Sequence, residues 1–550
     1  MADDLAKELL RRQEAMAAER ANHEAHWQEI ADYVNVMRAD FTTRQTPGAK
    51  RTSKLYDGTA GMAAENLAAG LYGLMSSPAN VWFALEPEDE GLKEDRDAKL
   101  WCDLVSGRMR NAFAANGNRF YTRSIDLYAD TVGFGTGVFY TEELPERGAL
   151  HFSCRHLAEC FLAENAQEQV DTVFRRFRFT ARQAIQQWGD RVSAAVAGAA
   201  EKEPNRTFEF LHAVLPAGEL GEARASTGSA RGERPFASFY VDAEGKSVLS
   251  QGGYFEFPYQ VVRWATRSRS VYGDSQGMLA LPDTKMLNAM SKTTLIAAQK
   301  VVDPTILAPD ESAVRGVRTA PGQIIYGGVD ARTGRALYQP LLTGGNIPLG
   351  LEMENQRRQA IREAFYFSLL LMVQQPNMTA TEFLGRQEEK LRLMGPHLGR
   401  IQSEFLDPLI DRVFGVMFRA GAFPPPPDAL LRAPGLRVAY VSPLARAAKA
   451  SEAGALLRTA EAITPIASLK PEVWDNFDTD EWARAVADGF GTPTRILRDR
   501  RDVAASRQQR AMAASAANLA SNAEPVAGAV EKLARAGVAA QEGRAMGRAA

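Results

Sequence analysis

The sequence predicts a helix-rich α+β chain, and three observations set that class. The run DSQGMLALPDTKMLNAMSKTTLIAAQK, Asp274 to Lys300, carries Met278, Leu281, Met286, Leu287, Met290 and Leu295 at helical spacing, which predicts one buried helix face. A Pro- and Gly-rich excursion, Val301 to Gly350, interrupts it, and the helical period resumes in LEMENQRRQAIREAFYFSLLLM. Between Gly137 and Trp264 lie six β-branched or aromatic runs separated by turns. A helix pair around a small excursion makes a column with a folded tip rather than a pocket.

The elements follow in order. Ala2 to Val36 reads as one long helix, with Leu5, Leu9, Ala17, Trp27, Ile30 and Val34 as a partial stripe, followed by an irregular linker, DFTTRQTPGAKRTSK. Leu55 to Leu85 holds a helix that Asp57 or Thr59 can cap and that Ser77-Pro78 ends. Its Ala60, Gly61, Ala63, Ala64, Ala68, Ala69, Gly70 and Gly73 allow close backbone approach, and Trp82 and Phe83 supply apolar anchors. Lys93 to Thr131 predicts two helices around Asn116-Gly117-Asn118. The strands are Gly137–Glu142, Leu150–Ser153, Val170–Thr180, Phe208–Leu215, Phe236–Val241 and Tyr259–Trp264, and Thr180 with Gln183 makes a capping box for TARQAIQQW. Ala217 to Arg234 reads as an exposed loop. Within the excursion, Thr305–Leu307, Gln323–Tyr326 and Ala336–Tyr338 read as short strands. Thr379 and Glu382 open a long helix reaching Ala420; straight, its 42 residues would span roughly 63 Å, but Pro396 and Pro408 predict bends. Ser451 to Ala487 is a smaller helical module. The Ala-rich tail from Arg495 is marginal helix or disorder, with ten Lys/Arg against five Asp/Glu.

Length and composition bound the function. At 550 residues with 45% hydrophobic content, the chain has room for two to four modules. A net charge of −2 advertises no global affinity for nucleic acid or acidic membranes. No run approaches the roughly 18 apolar residues of a spanning helix, and the charged start MADDLAKELLRRQEA is unlike a signal peptide. Cys102, Cys154 and Cys160 give no disulfide framework, so synthesis in a reducing cytoplasm is expected.

Candidate chemistry is sparse. His151, Cys154, His156 and Cys160 form the one metal-like spacing, yet strand alternation would turn His151 and Cys154 to opposite faces, and we expect no metal there. Gly133-Phe-Gly135-Thr-Gly137 resembles a phosphate loop, but its helix-then-strand order is the reverse of a dinucleotide fingerprint. No GxxxxGK[ST] element occurs, and Glu86, Glu88, Asp89 and Glu90 read as a solvated acidic turn. No acid–base or nucleophile set stands out, so neither an enzyme nor a bound cofactor is expected.

Taken in order, LYDGTAGMAAENLAAGLYGLMSSPANVWFAL, the Tyr272-Gly273 junction with LPDTKMLNAMSKTTLIAAQKVVDPTILAPD, and TATEFLGRQEEKLRLMGPHLGRIQSEFLDPLIDRVF resemble the head-to-tail connector, or portal, proteins of short-tailed phages, over roughly residues 5–490. The resemblance implies a ring, usually of twelve subunits, at one capsid vertex, through which DNA is packaged and ejected. It implies a division into residues 1–272 (N-terminal helices and β-rich wing), 273–300 (first stem helix), 301–350 (clip), 351–378 (second stem helix and tunnel loop), 379–450 (long wing helix and the segment after it), 451–494 (crown) and 495–550 (tail, a barrel or disordered). Its implied partners are further copies of itself, double-stranded DNA without sequence preference, the terminase packaging motor, a tail adaptor, and capsid and scaffold proteins, with no membrane. The location is the head–tail junction of the virion, after synthesis in the host cytoplasm.

The residues suit that role on physical grounds. Leu351–Met372 mixes a polar face (Glu354, Arg357, Arg358, Arg362) with Ile361, Ala364, Phe365 and Phe367, as a helix meeting both a neighbour and a wet lumen would. Near-neutral charge would let duplex slide, since each Lys/Arg–phosphate contact adds salt-dependent grip. The candidate channel residues are Lys285, Lys292, Lys300, Arg357, Arg358 and Arg362, with Gln374, Gln375 and Asn377 as uncharged contacts in the tunnel loop. Two other readings compete: a virion scaffold or adaptor with no conduit, and a metal-assisted hydrolase built on His151–Cys160.

Overall fold

A computed structural model describes residues 2–219, 234–308, 324–341, 347–368 and 392–515, with Lys532 and Arg535, except positions 39, 44–45, 47, 116, 145–148, 325, 327, 433–434, 441–442, 493–495 and 499. The chain forms two compact units. The first comprises Met1–Leu85, Leu104–Pro425 and Val438–Leu444; the second comprises Glu86–Asp103, Pro426–Arg437 and Ala445–Ala550.

The first unit is built on two antiparallel sheets. Strand β2 (Thr136–Leu144) lies between β3 (Ala149–Arg155) and β9 (Tyr259–Arg263). The larger sheet is a meander of β4 (Cys160–Glu164), β5 (Val170–Thr180), β6 (Thr207–Pro216), β7 (Phe236–Asp242) and β8 (Ser247–Tyr254). Alternation along β6 explains both of its faces: Leu211, Ala213 and Leu215 pack with Ala6 and Leu9 of helix α1 (Ala2–Tyr33). Phe208 and Phe210 turn the other way, onto Ala184, Trp188 and Val196 of helices α5 (Ala181–Trp188) and α6 (Ala194–Lys202). The capping box at Thr180 and Gln183 forms as the sequence predicts. Strands β4 and β8 and helix α6 were not legible as elements.

The small-residue helix α2 (Thr59–Met75) buries Ala60, Ala63, Ala64, Leu67 and Ala68 and packs on α4 (Phe120–Phe134). Its cap is Gly58, with Asp57 Oδ1 accepting the Thr59 N–H at 2.8 Å. Trp82, Phe83, Phe113, Phe120 and Phe152 form one aromatic cluster, which Phe139 joins to Phe405 of the long helix predicted to reach Ala420. That helix runs over 392–401, widens into a π turn at Gln402–Leu406, and continues as Asp407–Arg419. Pro408 has no N–H for the Glu404 carbonyl, and the wider turn absorbs the missing bond. Its predicted start at Thr379 lies outside the described residues.

In the second unit, Pro443–Leu469 and Thr479–Gly489 flank a short helix, Pro471–Asn476, around Trp474, Phe477 and Trp482. Asp478 caps the Thr479 helix through the N–H groups of Asp480 and Glu481. Residues 500–515 form a helix, held by Arg507 on Asp480 and Arg500 on Glu481, so this part of the tail takes the helical alternative.

Candidate functional site

Helix α7 (Gln276–Val302) and helix α8 (Ile347–Ala364) are the two predicted column helices. Their contacts fix an antiparallel pairing. Gln276 Nε2 donates to Tyr366 Oη at 3.1 Å, Arg357 Nη1 to Asp283 Oδ1 at 2.9 Å and Ser291 Oγ to Glu354 Oε2 at 3.2 Å. At the far end a two-stranded ribbon, β10 (Ile306–Leu307) with β11 (Gln339–Pro340), closes the pair. The third predicted strand, Ala336–Tyr338, thus forms further along, at Gln339–Pro340, and Ala336 instead bridges to Val329. Positions 323 and 325 of the Gln323–Tyr326 strand lie outside the described residues.

The root of the column is a glycine clasp. Ser275 caps α7 through the Met278 N–H, and its hydroxyl donates to the Gly133 carbonyl at 2.7 Å. The Gly273 N–H donates to Thr136 Oγ1 at 2.8 Å. A methyl group on Gly135 would sit 2.1 Å from the Gly273 oxygen, and one on Gly277 would sit 2.6 Å from the Gly133 oxygen. The Gly133–Gly137 run is therefore a close-approach surface for backbone, not a phosphate cradle. Beside it, Trp264 stacks on His397 at 4.2 Å, tying the helix over 392–401 to the same corner.

The buried face of α7 departs from expectation. It comprises Gln276, Gly277, Ala280, Leu281, Thr284, Leu287 and Asn288, whereas Met286 and Leu295 are half exposed and Met278 and Met290 are only partly covered. Small and polar residues face inward because neighbouring backbone packs there: Asn288 donates to the Lys54 carbonyl and accepts the Tyr56 N–H. Apart from Leu281 and Leu287, the large side chains turn outward. Leu279, Met286, Leu295, Ile296, Val301 and Val302 on α7, with Leu351 and Met353 on α8, are all at least 42% exposed. Helix α8 also begins earlier and ends sooner than the predicted Leu351–Met372, because the chain turns at Tyr366 with φ 56°.

The candidate channel cations divide into two groups. Lys285 pairs with Glu29 at 2.8 Å and Arg357 with Asp283. Arg358 binds Asp57 Oδ2 at 2.9 Å and Glu354 Oε2 at 2.8 Å. Burial penalises both the Asp57 carboxylate and the Arg358 guanidinium. The Thr59 N–H and Arg358 nevertheless hold Asp57 below its ordinary range, and the two carboxylates hold Arg358 above its own. Glu354, expected on a polar face, is 2% exposed, with Oε1 unbonded. The Glu354–Arg358 pair at i,i+4 is visible in sequence, but its burial is not. Asp57, Asp283 and Ser291 were missed because they come from distant elements. In contrast, Lys292 lies 5.6 Å over the Tyr56 ring, Arg362 lies 5.6 Å over Phe367, and Lys300 is exposed at the distal end. These three have no carboxylate partner among the described residues. Gln374, Gln375 and Asn377 lie outside the described residues.

The His151–Cys160 set does not converge. His156 accepts the Ala158 N–H on Nδ1 and reaches the Arg38 carbonyl with Nε2 at 2.8 Å, so both ring nitrogens are engaged. Cys154 lies against Asp130 and Arg38, and His151 pairs across the ladder with Glu142. Among the described residues no three His, Cys, Asp or Glu are grouped to hold a metal ion, and no helix is long and apolar enough to cross a membrane.

Comparison with known proteins gives the family. The family model for the bacteriophage head to tail connecting protein matches residues 6–497. The portal protein of Salmonella phage epsilon15 is 31% identical over 527 residues, covering 94% of this chain and 93% of the relative. The probable portal protein of Bordetella phage BPP-1 is 31% identical over 519 residues, covering 92% and 91%. Among solved structures, the neck of an empty GTA particle matches 76% of this chain and 91% of its own at 12% identity, with a TM-score of 0.37, too slight a likeness to carry argument. With a family model spanning nearly its whole length and two such relatives, the chain belongs to the bacteriophage head-to-tail connecting protein family.

Proposed function

We propose that the chain is the portal subunit of a tailed phage, a structural component of the virion at the head–tail junction that assembles into a ring contacting capsid and tail. The observation that carries this reading is the exposed apolar seam on the paired helices. Leu295, Ile296, Val301, Val302, Leu351 and Met353 lie on a column whose root is locked into the subunit, and so many large apolar groups in one place mark a protein interface. Side-by-side columns would cover them and wall a channel.

The finer assignments rest on the same frame. Twelve subunits is the expected count, and duplex DNA is the expected passenger. We assign backbone-phosphate contact to Lys292, Lys300 and Arg362, because Lys285, Arg357 and Arg358 already spend their charge within the subunit. Gln374, Gln375 and Asn377 would add neutral contacts. The 301–350 tip would meet the terminase motor and then the tail adaptor, and capsid and scaffold proteins would meet the wing. No catalytic role or cofactor is invoked.

Imaging of the purified full chain tests the reading. Rotationally symmetric rings with a central hole are expected. A monodisperse monomer at tens of micromolar, together with capsids that fill with genome in its absence, would refute it.

A further inference from the structure

A cleft of about 470 Å³ opens in the first unit, away from the paired helices. Four arginines line it: Arg38, Arg51, Arg155 and Arg175. Two carboxylates, Asp40 and Glu159, line it with them, so its rim carries a surplus of positive charge. The fold brings these residues together from four places. Arg38 ends the Val36–Arg38 turn, Arg51 belongs to the linker, Arg155 ends β3, and Arg175 lies on β5 opposite Cys160.

The arginines differ in how far they are satisfied. Arg38 grips buried Asp130 through two nitrogens, with Asp126 at 3.5 Å. Arg51 pairs with Asp40 at 3.3 Å. Arg175 gives Nε to Glu159 at 2.8 Å and lies over the Phe177 ring, leaving its two terminal nitrogens without a bonded partner among the described residues. Arg155 has no carboxylate within 4 Å and no hydrogen bond among the described residues; it rests over the Tyr140 ring at 5.2 Å with its Nε covered and unbonded. Glu142, which feels the charge of Arg155, is held above its ordinary range by burial, only partly relieved by Arg155, Arg412 and Arg175. Two arginines buried nearby in the same unit are more fully engaged: Arg20 bonds three carbonyls and Glu24, and Arg263 bonds two carboxylates and a carbonyl. A forked donor left open in a concave, cation-rich site is suited to a tetrahedral oxyanion, whose oxygens take several N–H groups at once.

We propose that this cleft binds a phosphate group, with Arg155 and Arg175 as its principal donors and Arg38 and Arg51 supplying field. The group can belong to a free phosphate or to a nucleic-acid backbone. The site is independent of the conduit reading, because it asks nothing of the ring or the column.

The test uses the full chain and two probes, radiolabelled inorganic phosphate in equilibrium dialysis and a fluorescent 20-base-pair duplex in anisotropy. Saturable phosphate binding near one per subunit is expected, weakened about tenfold to a hundredfold in Arg155→Gln. Arg155→Lys, which keeps the charge and the ring contact but loses the fork, should fall between. Arg182→Gln, an exposed cation of α5 outside the cleft, should change neither. Binding of duplex alone, lost in Arg155→Gln, supports the site and assigns it to backbone phosphate; binding of free phosphate alone supports it and assigns it to a small anion. No saturable binding of either probe, or binding that Arg155→Gln leaves intact in protein that melts like wild type, overturns it.

Discussion

Gly135 decides more of this fold than any large side chain near it. Its φ is 82°, and an added methyl would meet the Gly273 carbonyl at 2.1 Å. Backbone strain and steric clash then act together, so Gly135→Ala is expected to cost roughly 2–4 kcal/mol. Gly198→Ala, in open space on α6, should instead stabilise by about 0.5–1 kcal/mol. Urea melts of both variants check the pair; a Gly135→Ala protein as stable as wild type would dismiss the clasp. The sequence displayed these glycines without showing which backbone they touch, since Gly273 stands far from Gly135 along the chain. Histidine gives the second residue-scale expectation. His212 is 1% exposed, between Tyr259 Oη at 2.7 Å and Ser238 Oγ at 3.0 Å, and burial pushes its pKa well below the ordinary value, with Arg175 and Arg155 adding to the effect. The unfolded chain therefore takes up a proton near pH 6.5 that the folded chain refuses. The contribution is complete above that pH and shrinks as pH falls below it, by up to about 1.4 kcal/mol per unit. Burial shifts His23 and His151 the same way. His212→Gln should lose less melting temperature between pH 7 and pH 5 than wild type; equal losses would show that His212 does not titrate as described.

At the scale of elements, one arginine joins the column to the core. Arg358 bridges Asp57, at the start of α2, to buried Glu354 on α8, and Ser291 of α7 completes the chain of contacts. Removing the cation strands a carboxylate that has almost no access to water. Arg358→Ala is expected to cost about 3–5 kcal/mol, and Glu354→Gln in that background should recover part of it. A urea melt of Arg358→Ala within 1 kcal/mol of wild type, at matched protein concentration, would show the triad to be incidental. This element also marks where sequence reading succeeds and fails. Long periodic helices, the capped α5 and the alternating strands β5 and β6 were legible because one local pattern dictates each. The inward face of α7 was misjudged because hydrophobic period assumes an apolar neighbour. Leu281 and Leu287 are buried as predicted, but elsewhere the neighbour is the Lys54–Asp57 backbone, which rewards Asn288, while Met286 and Leu295 are left for another surface. Strand β4 was missed because its five residues are fixed by their ladder to β5 and by Arg20 bonding to the Cys160 carbonyl, contacts that lie outside so short a run.

At the scale of the whole molecule, the charge balance sets how a ring of these chains would treat DNA. With a net charge of −2 per chain, a ring of the proposed twelve copies would carry about −24, so no long-range attraction to duplex is expected and any grip would come from a few local cations. Lys292, Lys300 and Arg362 are the candidates, because no carboxylate among the described residues neutralises them. Phosphate contact by such groups releases counterions, so binding should weaken linearly with the logarithm of salt, at about −0.9 per phosphate engaged. The proposed contacts go to backbone phosphate, which carries no sequence information, so affinity should be indifferent to sequence. Titration of ring preparations with two unrelated duplexes across 50–300 mM salt should therefore give equal affinities and a shallow negative slope. Replacing Lys292 and Lys300 together by Gln should flatten that slope while imaging still shows intact rings, since neither residue holds the subunit's own core. A slope unchanged by the double variant would move the phosphate contacts elsewhere, the arginine-lined cleft being the next place to look. Affinity that differs between the two duplexes would argue against a passive channel altogether, because a conduit that read sequence would stall wherever its preferred site arrived.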